Sequence, residues 1–340
     1  MMILAGDIGG TKTHLALFRV EREQLIQVRQ EIFPSKAYAG LEEVIQKFLL
    51  KSEGSIESAC FGVAGPVIKG RCETTNLPWV VDAEQIGKQF GIPSVVLLND
   101  LEATAYGALG LTEKEYCIIN QGQTDLQGNR VVIAAGTGLG EAILFWDGLG
   151  FRASASEGGH TDFAPRNPIE INLLEYLLKS FDRVSYERVL SGQGLFSIYR
   201  FLRDTGYGEE PPWLSVRLAG EDPAAVISEA ALARKADLCV RTLEMFVSIY
   251  GAEAGNLALK SMATGGVYIG GGIAPKILNK LLDGTFMKGF LDKGRYVSFM
   301  SRIPIWVILN EKTALLGAAK FSLLTSAEKK KWALDVHPDN

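Results

Sequence analysis

The octet "GDIGGTKT" places Asp7 directly before Gly9, Gly10 and Thr11. An acid inside an apolar strand needs a partner such as hydrated Mg²⁺. Gly9 and Gly10 allow a tight turn whose backbone N–H groups point at an anion, and Thr11 adds a hydroxyl. An ordinary hairpin turn is the plainer alternative. The octet is close to a nucleotide-binding P-loop, but Thr11 stands where the second glycine belongs, ahead of Lys12 and Thr13. "HLALF" follows, alternating and β-prone, so a β-hairpin fits better than the strand-to-helix turn of a P-loop.

A second turn, "AAGTGLGEAILFW", has the same build around Gly136, Thr137 and Gly138. Its spacing and the absence of a following helix exclude a dinucleotide fingerprint. Together the two hairpins suggest two domains gripping one polyphosphate. "GGVYIGGGIAP", with Gly271 and Gly272 close to a helix N-terminus, is suited to nucleoside contact. "LLND" sets Asn99 and Asp100 at the exit of an apolar strand, where ligand residues of open α/β sheets lie. A carboxylate held there can orient and deprotonate a hydroxyl; equally, Asp100 can cap the next helix. "SEGGHTD" joins Glu157 and His160 through two glycines, which permit a backbone path that converges both side chains on one small polar ligand such as a sugar. A structural His160 capping a loop is the alternative. Zinc fits poorly, since the histidines are only His14, His160 and His337 and no cysteine lies close. Glu187 in "SYERVL" reads as an acid complementing the dipole of a helix after Ser185. Asn76 in "TTNLPW" reads either as a ligand approaching from the smaller domain or as a turn residue before Pro78.

The elements that must position these groups are those of an α/β protein. Helical spacing marks "LEEVIQKFLL"; "SACFGVAGPV", "PSVVLLND", "NRVVIAA" and "IPIWVILN" read as strands. Strands alternating with helices imply layers with much parallel pairing. Ser228 is a plausible N-cap for a long helix through "EAALARKADLCVRTLEMFVSIYG", and Pro275 falls near a helix's first turn. The last helix, "EKTALLGAAKFSLL", is expected to pack on the first domain through small Gly317 and Ala318, and "EKKKW" reads as a solvated helix end or tail. The two hairpins, each heading an α/β region, amount to a coarse duplication.

The 340 residues suggest about two domains at roughly 150 residues each. Apolar content of 47% and charged content of 22% are ordinary for a globular protein. A net charge of −4 argues against a general nucleic-acid binder. Cys60, Cys72, Cys117 and Cys239 are widely separated, favouring buried reduced thiols over disulfides. With no basic leader and no apolar run near the ~18 residues that span a bilayer, the chain reads as cytoplasmic.

The stretches "AGDIGGTKT", "LLNDLEATAYG", "AAGTGLGEA", "SEGGHTDFAPRN", "ERVLSGQGL" and "GGVYIGGGIAP" together resemble the sugar-kinase, heat-shock-chaperone and actin superfamily, and more closely the bacterial glucokinases. The resemblance covers nearly the whole chain. It implies an actin-like, ribonuclease H-like two-domain fold with an interdomain cleft, residues 1–110 plus about 303–325 forming a small domain, 111–302 a large one and 326–340 a tail. It implies ATP-dependent phosphorylation of the glucose 6-hydroxyl, with Asp100 as base. Asn99, Asp100, Glu157, His160, Glu187 and Asn76 would bind glucose. Gly6, Asp7, Ile8, Gly9, Gly10, Thr11, Gly136, Thr137, Gly138, Gly271 and Gly272 would bind ATP, with Mg²⁺ held by Asp7 through water. It also implies a homodimer, and domain closure that excludes water as acceptor. Lys12 stands where the family most often has asparagine, and Gln193 where it has proline. The zinc-binding cysteine cluster of the related repressor/kinase family is absent, favouring the zinc-free branch. A kinase for another hexose or an N-acetylhexosamine is the nearest alternative; a sugar-sensing regulator is disfavoured because no helix-turn-helix segment precedes the first loop.

Overall fold

The computed structural model describes residues 1–22, 24–50 and 54–336, with side chains to residue 324. Contacts gather the chain into two units, Met1–Leu111 with Asn310–Asn340, and Thr112–Leu309.

In the first unit, β1 (Met2–Ile8) and β2 (Lys12–Glu21) form the antiparallel hairpin that the alternation of "HLALF" calls for, and β3 (Gln24–Pro34) extends the meander. In α1 (Leu41–Leu49) the buried residues are Leu41, Val44, Ile45 and Phe48, four of the five apolar positions at helical spacing, while the fifth, Leu49, is half-buried. Each such burial is worth about 1.5–3 kcal/mol, which outweighs the poor start given by Gly40 as N-cap. Strand β4 (Ser58–Val63) is buried throughout and runs parallel to β1. The short β5 (Val67–Ile68), β6 (Arg71–Glu73) and β7 (Val80–Asp82) form a separate small sheet before α2 (Ala83–Phe90). Then β8 (Val95–Asn99) pairs parallel with β4 and leads directly into α3 (Asp100–Ala108). The main sheet has the order β3-β2-β1-β4-β8.

The second unit repeats this plan. β9 (Tyr116–Asn120) precedes an antiparallel meander of β10 (Arg130–Ala135), β11 (Leu139–Trp146) and β12 (Phe151–Ser156). Helices α4 (Pro168–Leu177), α5 (Gly192–Asp204), α6 (Pro212–Gly220), α7 (Pro223–Leu232) and α8 (Asp237–Ser261) follow. After them come β13 (Gly266–Gly270), short helices α9 (Leu278–Leu282), α10 (Thr285–Leu291) and α11 (Val297–Met300), and β14 (Ile305–Ile308). The sheet order is β12-β11-β10-β13-β14-β9, with β10–β13 and β13–β14 parallel. Both sheets therefore start as a three-stranded meander and continue into two parallel strands, the duplication read from the paired glycine turns. Tyr250 pins α8 to this sheet: its hydroxyl accepts from the Ala135 N–H and donates to the Ile133 carbonyl, both at 3.2 Å.

The closing helix α12 (Thr313–Val336) packs on α3, β1 and β4, as expected from its small residues. A side chain at Gly317 would collide with the Ala103 carbonyl, so glycine sets the approach of α12 to α3. The helical backbone continues through the "EKKKW" run; residues 337–340, including His337, lie outside the described residues.

Five local expectations are corrected. Ser228 is not an N-cap: it lies inside α7, which Asp222 caps, and its hydroxyl donates back to the Ala224 carbonyl at 2.8 Å. The expected long helix breaks at Arg234, whose φ of 52° is left-handed, and restarts at Asp237. Asp100 is not the cap of α3. Asn99 is, in a reciprocal capping box with Glu102, because its extended φ/ψ leaves the side chain free to accept from the following N–H. Finally, Pro275 opens a 3₁₀ turn (Ala274–Ile277) before α9, and Glu187 sits in a 3₁₀ turn (Tyr186–Arg188), rather than in α-helices.

Candidate active site

Asp7 lies next to the end of β1, in register with Gly62 of β4 and His14 of β2. A Cβ at Gly62 would stand 2.8 Å from the Ala103 Cβ and 3.7 Å from the Asp100 Cα, so a bare glycine lets the start of α3 settle on β4. This places the Asp7 and Asp100 carboxyls on either side of Gly62. Burial first, and the Asp100 charge second, push the Asp7 carboxyl up to about 6. Among the described residues no lysine or arginine forms an ion pair with Asp7.

Around the first glycine turn, Gly9 N–H donates to the Lys12 carbonyl at 3.0 Å and Ser35 Oγ donates to the Gly9 carbonyl at 2.7 Å. A Cβ on Gly10 would sit 2.6 Å from the Asn76 Cβ, so the Asn76 turn rests on this glycine. Gly6 is hemmed in by Phe61 and Leu15, which keeps the β1 backbone tight beneath the turn. Ile8 is buried; Thr11 and Lys12 are exposed. Asn99 is largely committed to the fold, its Oδ1 accepting from Leu101 N–H at 2.9 Å and its Nδ2 donating to the Gly65 carbonyl at 3.2 Å, which leaves one amide hydrogen for a ligand.

In the second unit, the turn Gly136-Thr137-Gly138 closes with Gly136 N–H on the Gly138 carbonyl at 2.8 Å, while Gly192 N–H donates to the Gly136 carbonyl at 2.9 Å. Gly271 has a φ of 82° and stands against the Ala135 backbone, a place only glycine fits. Gly136, Thr137 and Gly272 border a cavity of about 760 Å³ whose walls include Phe196, Ile273 and Leu232. Its apolar walls with a glycine floor suit a flat aromatic base.

Glu157 and His160 are brought together, with His160 Nε2 3.9 Å from Glu157 Oε2, and both side chains are more than half exposed, at 66% and 54%. Glu187 joins them through the backbone. Its Oε2 accepts from Leu139 N–H at 3.0 Å, and Gly159 is pressed against the Leu139 carbonyl. Tyr186 N–H donates to the Thr161 carbonyl at 2.9 Å, and Phe163 N–H to the Val184 carbonyl at 3.0 Å, stitching the two segments together. The three candidate sugar ligands of the second unit thus gather around Leu139 at the exit of the second glycine turn.

Sequence reading passed over Glu141, a buried acid on β11, and Phe196, which lines the cavity. The signal for Glu141 was an acid in the apolar run "LGEAILFW"; nothing local marks Phe196 as more than core. Among the described residues no helix is long and apolar enough to cross a membrane.

Comparison with known proteins places the chain in a family and a fold. The family model described as Glucokinase matches residues 4–324. The glucokinase of Nostoc punctiforme is 44% identical over 94% of this chain and 98% of its own. The crystal structure of a glucokinase from an Antarctic psychrotroph superposes with a TM-score of 0.83 at 30% identity, covering 94% of this chain and 98% of that one. A glucokinase from Balamuthia mandrillaris, solved with glucose, shares the fold at a TM-score of 0.77 and 22% identity, over 94% and 93% of the two chains. The chain has the two-domain actin-like fold and belongs to the glucokinase family.

Proposed function

We propose that this protein transfers the terminal phosphoryl group of ATP to the 6-hydroxyl of glucose, with Asp100 as general base. The observation that carries this reading is the pairing of Asp7 and Asp100 across Gly62. Two acids so placed differ in surroundings, and only one is needed for each of the two tasks of a phosphoryl transfer. Asp100 stands at the first position of α3, where Asn99 rather than Asp100 caps the helix, and its Oδ1 accepts from the Leu101 N–H at 3.0 Å. It would accept the proton as the hydroxyl attacks the phosphorus, and its rigid seat at the strand exit would orient that hydroxyl.

Asp7 is the residue that would hold Mg²⁺, through water. Its fit rests on the donor set: a carboxylate in a desolvated place beside a second acid, with no cation of the protein paired to it among the described residues. Mg²⁺ typically takes one or two carboxylates together with substrate phosphates rather than a protein-only cage, and it would neutralise charge on the phosphates. The backbone N–H groups of both glycine turns would cradle phosphate oxygens, with the base of ATP in the cavity beside Phe196 and Ile273. Glu157, His160 and Glu187 would hold the sugar hydroxyls, the exposed Glu157–His160 pair offering an acceptor beside a donor. Asn76 and the remaining amide hydrogen of Asn99 would add contacts.

The test is Asp100→Ala in a coupled assay with glucose and ATP. Loss of a general base costs ~10²–10⁴-fold in rate, with glucose affinity retained; near wild-type turnover would remove Asp100 from the role. A panel of hexoses and N-acetylhexosamines checks the sugar, and a higher kcat/KM on any sugar other than glucose would reassign it.

A further inference from the structure

One buried acid has no part in that mechanism. Glu141 lies two residues into β11, 2% exposed, opposite Ser156 at the end of β12. Its Oε1 has no hydrogen-bond partner among the described residues. Its Oε2 occupies the place a side chain would need at Gly158, the residue after Glu157. Ser156 Oγ, beside it, accepts from Gly158 N–H at 3.0 Å. The segment carrying Glu157 and His160 therefore sits directly on the Glu141 carboxyl, and a glycine at 158 is what allows it.

We propose that Glu141 is a positioning residue for the sugar-binding loop: its buried carboxyl forms the seat beneath Gly158 and so sets where Glu157 and His160 stand. The proposal rests on reading those two residues as sugar ligands. The titratable groups facing Glu141 come from α8: Glu253 with like charge, Lys260 with opposite charge, and the Tyr250 hydroxyl. Glu253 is itself buried, bonded to Asn256 Nδ2 at 2.8 Å, and Asn256 in turn reaches Tyr186, the neighbour of Glu187. Lys260 stands 3.7 Å from Glu253 and Lys293 donates to Asn256 Oδ1 at 2.7 Å. An ionised Glu141 would add a second anion to this dry network without a partner of its own, which burial makes costly.

Burial, and after it the Glu253 charge, push the Glu141 carboxyl up to about 8, against the opposing pull of Lys260. With the loop lifted, Glu141 meets water and returns to the ordinary carboxylate range. The seated loop thus keeps a proton that the lifted loop gives up. Seating is fully favoured below that ordinary range, weakens as pH climbs, and levels off above about 8.

The experiment measures kcat and KM for glucose at saturating ATP from pH 5.5 to 9, in wild type and Glu141→Gln, the isosteric neutral variant. Taking the ratio of wild-type to variant KM cancels titrations common to both, including that of Asp7. The expected ratio climbs at least about fivefold and flattens above pH 8, with kcat within about twofold; each pKa unit between the seated and lifted carboxyl is worth at most about tenfold in the loop equilibrium. A flat ratio overturns the proposal. Glu253→Gln provides a second reading: with the like charge gone, the KM midpoint moves to lower pH and the rise shrinks, and an unmoved midpoint also overturns it. Calorimetric glucose binding to Glu157→Gln at pH 7 separates the premise. Unchanged affinity there sinks the sugar-ligand reading, whereas weakened affinity with a flat ratio sinks the role of Glu141 alone.

Discussion

The two glycine turns share a build and differ in company. Each joins the first and second strands of a meander, Ile8 to Lys12 in one unit and Ala135 to Leu139 in the other. The first is bounded by charge: Asp7 in its incoming strand, Asp100 across Gly62, Asn76 resting on Gly10. The second has Ala134 and Ala135 leading in, and opens on a cavity walled by Phe196 and Ile273. Glu187 closes its far end by taking the Leu139 N–H. On the proposed function, a duplicated hairpin would take two tasks from its neighbours rather than from its own residues. Both turns would meet phosphate oxygens, the first beside the metal and the second beside the nucleoside and the sugar loop.

Changes at the first turn should be the most severe for activity. Asp7→Asn is expected to lower turnover by more than ~10²-fold, as loss of a group holding the charge-neutralising ion would. The same change should stabilise the protein. Because the Asp7 carboxyl is raised to about 6, folding favours its protonated form, and the stability lost between the ordinary carboxylate range and pH 6 is returned by asparagine. The gain at pH 7 is at most about 3 kcal/mol, read as a higher Tm; a fall in Tm would contradict the strained acid. For the same reason, wild-type kcat/KM should decline as pH drops below about 6.

Gly271→Ala comes next. Its Cβ meets the Ala135 backbone at a φ of 82°, so a cost of about 1–3 kcal/mol is expected in denaturant unfolding, together with a raised KM for ATP. Phe196→Ala removes a cavity wall and should raise the KM for ATP three- to tenfold, equivalent to about 1 kcal/mol of lost apolar contact, with kcat unchanged. The smallest effect belongs to Lys12→Asn. Lys12 is exposed at the first position of β2, and the change should move stability by less than about 0.5 kcal/mol.

Much of this could be read from the sequence because the decisive signals were local. Alternation in "HLALF" distinguished a hairpin from a P-loop, and "LLND" gave both a strand end and the acid beyond it. The long helix through "EAALARKADLCVRTLEMFVSIYG" was misjudged since its break depends on Arg234 adopting a left-handed conformation, for which arginine carries no preference. Choosing between Asn99 and Asp100 as cap was equally beyond local reading, because both are good caps and only the backbone angles decide. For Glu187 the local residues offered only a helix dipole, with its sugar role resting on the resemblance, yet its partner is an N–H 48 residues earlier, a contact that the sheet alone creates. Glu141 escaped notice because its meaning depends on Gly158, brought over it by β12.

The division between the two turns is tested most directly by calorimetric ATP affinity, with and without Mg²⁺, in Asp7→Asn and Phe196→Ala. Asp7→Asn should erase the gain that Mg²⁺ gives and leave metal-free affinity as it was. Phe196→Ala should weaken ATP by the same factor in both conditions. Equal behaviour of the two variants, or an Mg²⁺ gain that survives in Asp7→Asn, would contradict it.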